Sequence, residues 1–276
     1  MYTTSSLLRM VCMFVLIAIV LSALRVMAQA PLVRATVHEL GLPGSAGQRL
    51  PIEPYVRPDL AAAMQRLRPA ILAAASRHNR PDLSGMTNRE FAQVMVVIIY
   101  TENNGWLEDE VEPLRLLRPL FETAQVYANR SRIGSNFTVW PVNLRPSVAL
   151  EIVRGEVPLP DPVGMITVPL QVYGSTIAPD TYTDQQRLLA DITSEISNEE
   201  LAVAYLAANL ERGLYRARYE NVPVTWAVLV AWHNQGIVRP DQIAAHPWAS
   251  EYVYRASAYL EPAHCFVYAD CPVAEG

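Results

Sequence analysis

Glu102 is the residue best placed to do chemistry. It stands alone at the end of the apolar run Phe91–Tyr100, in the stretch TNREFAQVMVVIIYTENNG (residues 87–105). Phe91, Met95, Ile98 and Glu102 share one face at helical spacing, and Val94 and Ile99 widen the apolar surface around it. A helix C-terminus disfavours an acid by about 0.3–1 kcal/mol, and lost hydration favours the protonated form further. A carboxylic acid kept protonated near neutral pH is what glycoside cleavage needs as its general acid. A single Glu at a helix end also reads as a solvated tip, so the position alone leaves both possibilities open.

Other groups have chemistry to offer. Glu108, Asp109 and Glu110 follow closely; one of them is the second carboxylate that a hydrolytic glycosidase would need, or all three are a solvated loop. Trp106 and Trp140 suit stacking on sugar rings and suit core packing equally. His233 ends the apolar stretch Val222–His233, where it is either a group titrating near neutrality or a core histidine. The five His are scattered and show no metal-ligand spacing, and there is no Gly-rich phosphate loop. Cys265 and Cys271 are close enough to pair, and a disulfide tying down the C-terminal tail is the expectation outside the cytoplasm.

The elements that must hold these groups are mostly helices. Thr87 and Glu90 form a capping box that opens the Glu102 helix, and Asn103-Asn104-Gly105 predicts a left-handed stop. Helices are predicted over Arg57–Arg77, bent by Pro69, and over Pro113–Asn129. Others are predicted from Pro146, over Thr183–Ile196, over Val222–His233 and over Trp248–Leu260. Ser197 with Glu200 reads as a second capping box, ahead of the long amphipathic helix ELAVAYLAANLERGLYRARY. A Pro-rich stretch, Gly155–Asp180, holds a β-like core at Ile166–Gly174. Asn129-Arg130-Ser131 and Asn136-Phe137-Thr138 match the glycosylation sequon, a pattern common by chance. The fold class predicted is mainly α with a small β element, built round one buried helix.

The N-terminus reads separately. Arg9, the apolar run Met10–Leu24, Arg25 and Ala28-Gln29-Ala30 describe a secretory signal peptide with cleavage after Ala30, or a retained anchor. Either way the expected location is extracytoplasmic. The domain organisation that follows is 1–30 signal or anchor, 31–56 extended leader, 57–262 main domain, and 263–276 tail. The net charge of -5 without a basic stripe argues against nucleic acid as a partner.

Several segments, in order, resemble the lysozyme-like lytic transglycosylases of the soluble type. In that family an apolar helix ends in a catalytic Glu followed by Ser; here VVIIYTENNG places Glu102 and Asn103 there. Pro146-Ser147-Val148-Ala149 matches the family's next helix start, with Asn143 where the family has Gln. Asn198 with Tyr205-Leu206 resembles the following long helix, and Trp232-His233-Asn234-Gln235-Gly236 stands for the family's Ala-Tyr-Asn-Ala-Gly. Tyr252-Val253 is similar to a late Tyr-Val whose Tyr sits beside the catalytic acid. The resemblance covers about residues 60–260, and its individual motifs are short; their order is what makes it specific. The departures are Asn at 103 and 143, and a longer gap between Glu102 and Asn143, which the Pro113–Asn129 helix fills.

What the resemblance implies is a lysozyme-like catalytic domain that cleaves the β-1,4 bond between N-acetylmuramic acid and N-acetylglucosamine in peptidoglycan. Glu102 would protonate the leaving oxygen and then, as base, draw the muramic 6-hydroxyl onto the anomeric carbon to give 1,6-anhydro ends. Tyr252 would hold Glu102, while Asn103, Asn143, Trp140 and Asn234 would face substrate; no metal or cofactor is implied. Partners would be glycan strands, and a membrane only if the N-terminal segment is retained. Two alternatives stand beside this: a non-catalytic glycan-binding protein, and a lysozyme-type hydrolase.

Overall fold

Helix α3, Asn88–Asn103, is the centre of the core that the described residues form. In a computed structural model of the chain, residues 54–104, 112–131, 135–160 and 162–269 are described, with only the backbone of 112–118. The apolar run Met10–Leu24, most of the leader, Trp106, Glu108, Asp109, Glu110 and Cys271 lie outside the described residues. Around α3 the chain runs α1 (Pro58–His78), α2 (Pro81–Ser84), α3, α4 (Glu112–Arg130) and α5 (Pro146–Val153). Then come β1 (Glu156–Pro158), β2 (Met165–Thr167), α6 (Gln185–Ile196) and α7 (Glu199–Tyr219). The last elements are α8 (Trp226–Asn234), α9 (Pro247–Ser257) and α10 (Leu260–Tyr268). The protein is mainly helical with a small β element.

The start of α3 is set locally. Thr87 Oγ1 accepts from the Glu90 amide (3.2 Å) while the Thr87 amide donates to Glu90 Oε2 (2.7 Å), closing the expected capping box. The middle is set by packing. Every residue from Val94 to Asn104 is buried, because α1, α8, α9 and α10 all lie against this helix. A helix apolar on every side gains about 1.5–3 kcal/mol for each large side chain buried, and only a central position buries them all. α7 packs on α1, α6 and α8 and extends the same core. Its Tyr205, Leu206, Leu210 and Leu214 are fully buried.

Several elements differ from their sequence expectation. Asn103 is the last residue of α3 and its cap, Asn104, is extended (φ -137°) with its amide still closing on the Tyr100 carbonyl, while Gly105 of the predicted stop lies outside the described residues. Ser197 does not cap α7. It ends α6, its hydroxyl donating to the Thr193 carbonyl (2.6 Å). The cap is Asn198, whose Oδ1 accepts from the Glu200 and Leu201 amides, both at 3.1 Å. The β element lies earlier than expected, in a two-stranded antiparallel hairpin with Val157 opposite Ile166. Gly155 explains the shift. At φ +66° a Cβ there would stand 2.4 Å from the Val168 carbonyl oxygen, so only glycine lets the chain close the hairpin.

The chain beyond Ser257 also departs from expectation. The single predicted helix Trp248–Leu260 is two, α9 and α10, and α10 runs across the expected 262/263 boundary. Ala263 and Val267 are buried against α3, and Arg68 donates to the Phe266 and Val267 carbonyls at 2.8 and 2.9 Å. Cys265 is disulfide-bonded. Asn129 is 2% exposed and exchanges two hydrogen bonds with the Phe137 backbone, so that sequon is closed to a glycan.

Candidate active site

Four segments converge on the Glu102 carboxyl. α3 carries it to the end of the central helix, where it is buried but not sealed, at 7% exposure. α9 brings Tyr252, whose hydroxyl donates to Glu102 Oε1. The turn 140–143 brings Asn143, whose Nδ2 donates to Oε2 at 2.8 Å and to the Glu102 main-chain carbonyl at 3.3 Å. α8 brings His233, with Nε2 at 3.8 Å from Oε1 and a side chain only 2% exposed.

Local chemistry explains why the turn points at the acid. Val139 and Leu144 form an isolated antiparallel bridge, the Val139 amide donating to the Leu144 carbonyl (2.9 Å), and the chain between them must double back. Asn143 takes the left-handed conformation (φ 51°), which Asn tolerates better than most residues. The turn is fastened to α3 by Asn103, whose Nδ2 donates to the Ile99 and Pro141 carbonyls, both at 2.7 Å. Asn103 is wholly buried, so the substrate contact expected of it is corrected: it holds the turn in place.

The end of α3 carries further support. The Asn104 side chain donates to the Tyr100 carbonyl (2.9 Å), and its Oδ1 accepts from the Arg57 amide (3.2 Å). Arg255, one turn after Tyr252 on α9, donates to the Thr101 and Asn104 carbonyls at 3.4 and 3.3 Å. A cation there offsets the negative end of the helix dipole that the sequence alone sets against Glu102. Burial, then the Glu102 charge and hydrogen bond, hold the Tyr252 phenol well above its ordinary pKa, so it remains a donor. Burial pushes the His233 imidazole below its ordinary pKa, with Glu102 and the Val142 carbonyl pulling the other way.

The other expected site residues are placed differently. Trp140 is half-buried in the same turn as Asn143, three residues away. Asn234 is exposed at the end of α8 and makes no side-chain hydrogen bond among the described residues; nothing joins it to the Glu102 cluster. Sequence reasoning left His233 undecided and missed Arg255 altogether. The signal for His233 was its place beside Asn234 in the WHNQG segment; Arg255 had none, since one arginine on an amphipathic helix is unremarkable by pattern. Among the described residues no cluster of His, Cys, Asp or Glu is arranged to hold a metal ion. A groove of about 460 Å³ lies elsewhere, lined by Arg77, His78, Tyr173 and Glu200 among others, and shares no residue with the Glu102 cluster.

No protein-family model, curated protein or solved structure matches this chain.

Proposed function

We propose that the chain is a peptidoglycan lytic transglycosylase, with Glu102 as general acid and then general base. The observation that carries this reading is the hydrogen bond from Tyr252 to a buried Glu102, made across 150 residues of chain at two positions matching the family pattern. Support comes also from Asn143, which meets the same carboxyl from the position that the pattern assigns to a Gln. Tyr252 on Oε1 and Asn143 on Oε2 fix the plane of the carboxyl, so the oxygen that gives up a proton would also be placed to take one back. The partial exposure of Glu102 leaves it a path to the glycosidic oxygen. Burial of the remaining carboxyl surface keeps bulk water from competing for the anomeric carbon, which an intramolecular attack by the 6-hydroxyl requires. General acid–base catalysis of this kind contributes about 10²–10⁴-fold in rate. An extracytoplasmic site of action fits the N-terminal pattern and the Cys265 disulfide.

One observation favours a second reading. Both Glu102 oxygens already accept hydrogen bonds, an arrangement that also suits a carboxylate retained to grip a sugar hydroxyl in a glycan-binding protein without turnover. Mass spectrometry of muropeptides released from purified sacculi, by the wild type and by Glu102→Gln, separates the readings. Anhydro-ended products from the wild type alone support the transglycosylase. Reducing ends indicate a hydrolase with a second carboxylate. No release with sacculus binding intact leaves the binding protein.

A further inference from the structure

The groove away from the Glu102 cluster has no part in the function proposed above. It measures about 460 Å³, within the range of about 300–1,000 Å³ that holds small molecules. Ala70, Ala73 and Ala74 of α1 and Ala204 of α7 line it, and side chains that end at Cβ leave the space between the two helices open. Tyr173 stands at its edge, 43% exposed, with the Arg77 guanidinium 4.8 Å from the ring centroid. Gly174 lets this loop come so close: its φ is +88°, and a Cβ there would lie 3.1 Å from Leu201 Cδ2.

Two features of the lining point to a ligand. The first is His78, 1% exposed. Its Nδ1 donates to Glu211 Oε2 at 2.8 Å, which in the neutral ring leaves Nε2 an acceptor, and Nε2 is buried without a hydrogen-bond partner. Buried polar side-chain atoms are rarely left so. The second is a pair of opposite charges that do not meet. Arg77 and Glu200 both line the groove, and among the described residues neither makes an ion pair. Their neighbours do: Glu199 is paired with Arg66 at 3.7 Å, and Arg80 with Glu211 at 2.7 Å. A cation and an acid held apart in one groove with an apolar floor suit a ligand that carries both charges.

We propose that the groove between α1 and α7 binds a zwitterion with a small apolar body, of the amino acid or dipeptide class. Its carboxylate meets Arg77, whose planar guanidinium can take both oxygens, and its ammonium meets Glu200. His78 Nε2 accepts a ligand N–H once the Tyr173 ring, which packs on the imidazole at 5.6 Å between centroids, swings aside. The apolar body lies on the alanines. A simple carboxylate or a simple amine satisfies one charged group of the groove, and a neutral sugar satisfies neither.

The test uses the intact protein and L-alanyl-L-alanine as the probe, followed by NMR. The methyl resonances of Ala70, Ala73, Ala74 and Ala204 and the Nε2 resonance of His78 should move in a saturable way. N-acetylation or C-amidation of the dipeptide should each weaken binding about ten-fold or more, because each removes a hydrogen bond between charged groups. Arg77→Gln should abolish the preference for the free carboxylate alone, and Glu200→Gln the preference for the free amine alone. Both side chains are exposed, so neither variant threatens the fold. Equal binding of the free and the doubly capped dipeptide overturns the proposal, as does propionate binding as tightly as the dipeptide. Alanine methyls that do not shift, or that shift while His78 Nε2 stays still, overturn it too. None of these readouts depends on muropeptide release, so failure of the transglycosylase reading would leave them unchanged.

Discussion

The Tyr252 hydroxyl donates to Glu102 Oε1 from α9, 150 residues further along the chain. A buried phenol must find a partner and a buried carboxyl must be held, and each satisfies the other. Replacing Tyr252 by Phe keeps the ring packing and removes the hydrogen bond. The expected result is a stability loss of about 1–2 kcal/mol, read by chemical denaturation, because a buried acceptor loses its donor. Muropeptide release should fall with it, and Tyr252→Phe should bind sacculi as the wild type does.

Asn143 offers a cleaner separation of backbone from side chain. Its φ of 51° is one that glycine adopts freely and alanine does not. Asn143→Ala should cost roughly 1–2 kcal/mol through that conformation alone, and Asn143→Gly should cost less. Both remove the amide from Glu102 Oε2. Equal losses of muropeptide release in the two variants, with unequal melting temperatures, would assign the activity to the amide. Full activity in Asn143→Gly would reduce Asn143 to a turn residue.

Gly213 on α7 is fixed by the tryptophan beside His233. A Cβ there would lie 2.7 Å from Trp232 Cδ1 and 2.9 Å from Cγ, so the ring must move. That ring is anchored by Nε1 donating to the Asn209 carbonyl at 2.8 Å. Gly213→Ala should therefore destabilise the protein by about 1–3 kcal/mol, the cost of overpacking, and should shift the Trp232 indole resonance. A fully stable Gly213→Ala with an unmoved indole would mean that α8 packs more loosely on α7 than these distances show.

Away from the site, Glu211 carries a buried charge pairing. It accepts from His78 Nδ1 at 2.8 Å and forms an ion pair with Arg80 at 2.7 Å, with both Glu211 and His78 1% exposed. Glu211→Ala should cost about 1–3 kcal/mol, since it leaves the buried His78 Nδ1 without its hydrogen-bond partner. Differential scanning calorimetry measures this directly.

Alkaline pH should weaken the fold in a defined window. Tyr100 is 5% exposed, and burial raises its pKa from the model-peptide value of 10.0 to about 12. Its folded pKa thus exceeds its unfolded one. The stabilisation is complete below pH 10 and is lost as pH rises toward 12, because the unfolded state releases its proton first. Denaturation midpoints measured from pH 9 to 11.5 should decline, and Tyr100→Phe should reduce the slope.

What the sequence determined by itself was set by short-range physics. The capping box at Thr87 and Glu90, the extent of α3, the helix from Pro146 and the isolated acid at Glu102 depend on neighbours within a few residues, and the chain carries them openly. The apolar circumference of α3 also required a central position, since no other place would bury it. Where local signals competed, the sequence was ambiguous: Ser197 and Asn198 are both good caps, and only the side chain with the better reach to two amides opens α7. The β register turned on Gly155 meeting a carbonyl 13 positions later, a steric fact that no pattern of hydrophobicity records. The site itself was decided by tertiary structure. Asn103 could have faced substrate or core, and the Pro141 carbonyl of the turn, together with the Ile99 carbonyl of its own helix, holds it inward. Arg255 and His233 gained their roles only when α9 and α8 packed against the end of α3, because electrostatics at a carboxyl depends on distance through space, which sequence separation does not encode.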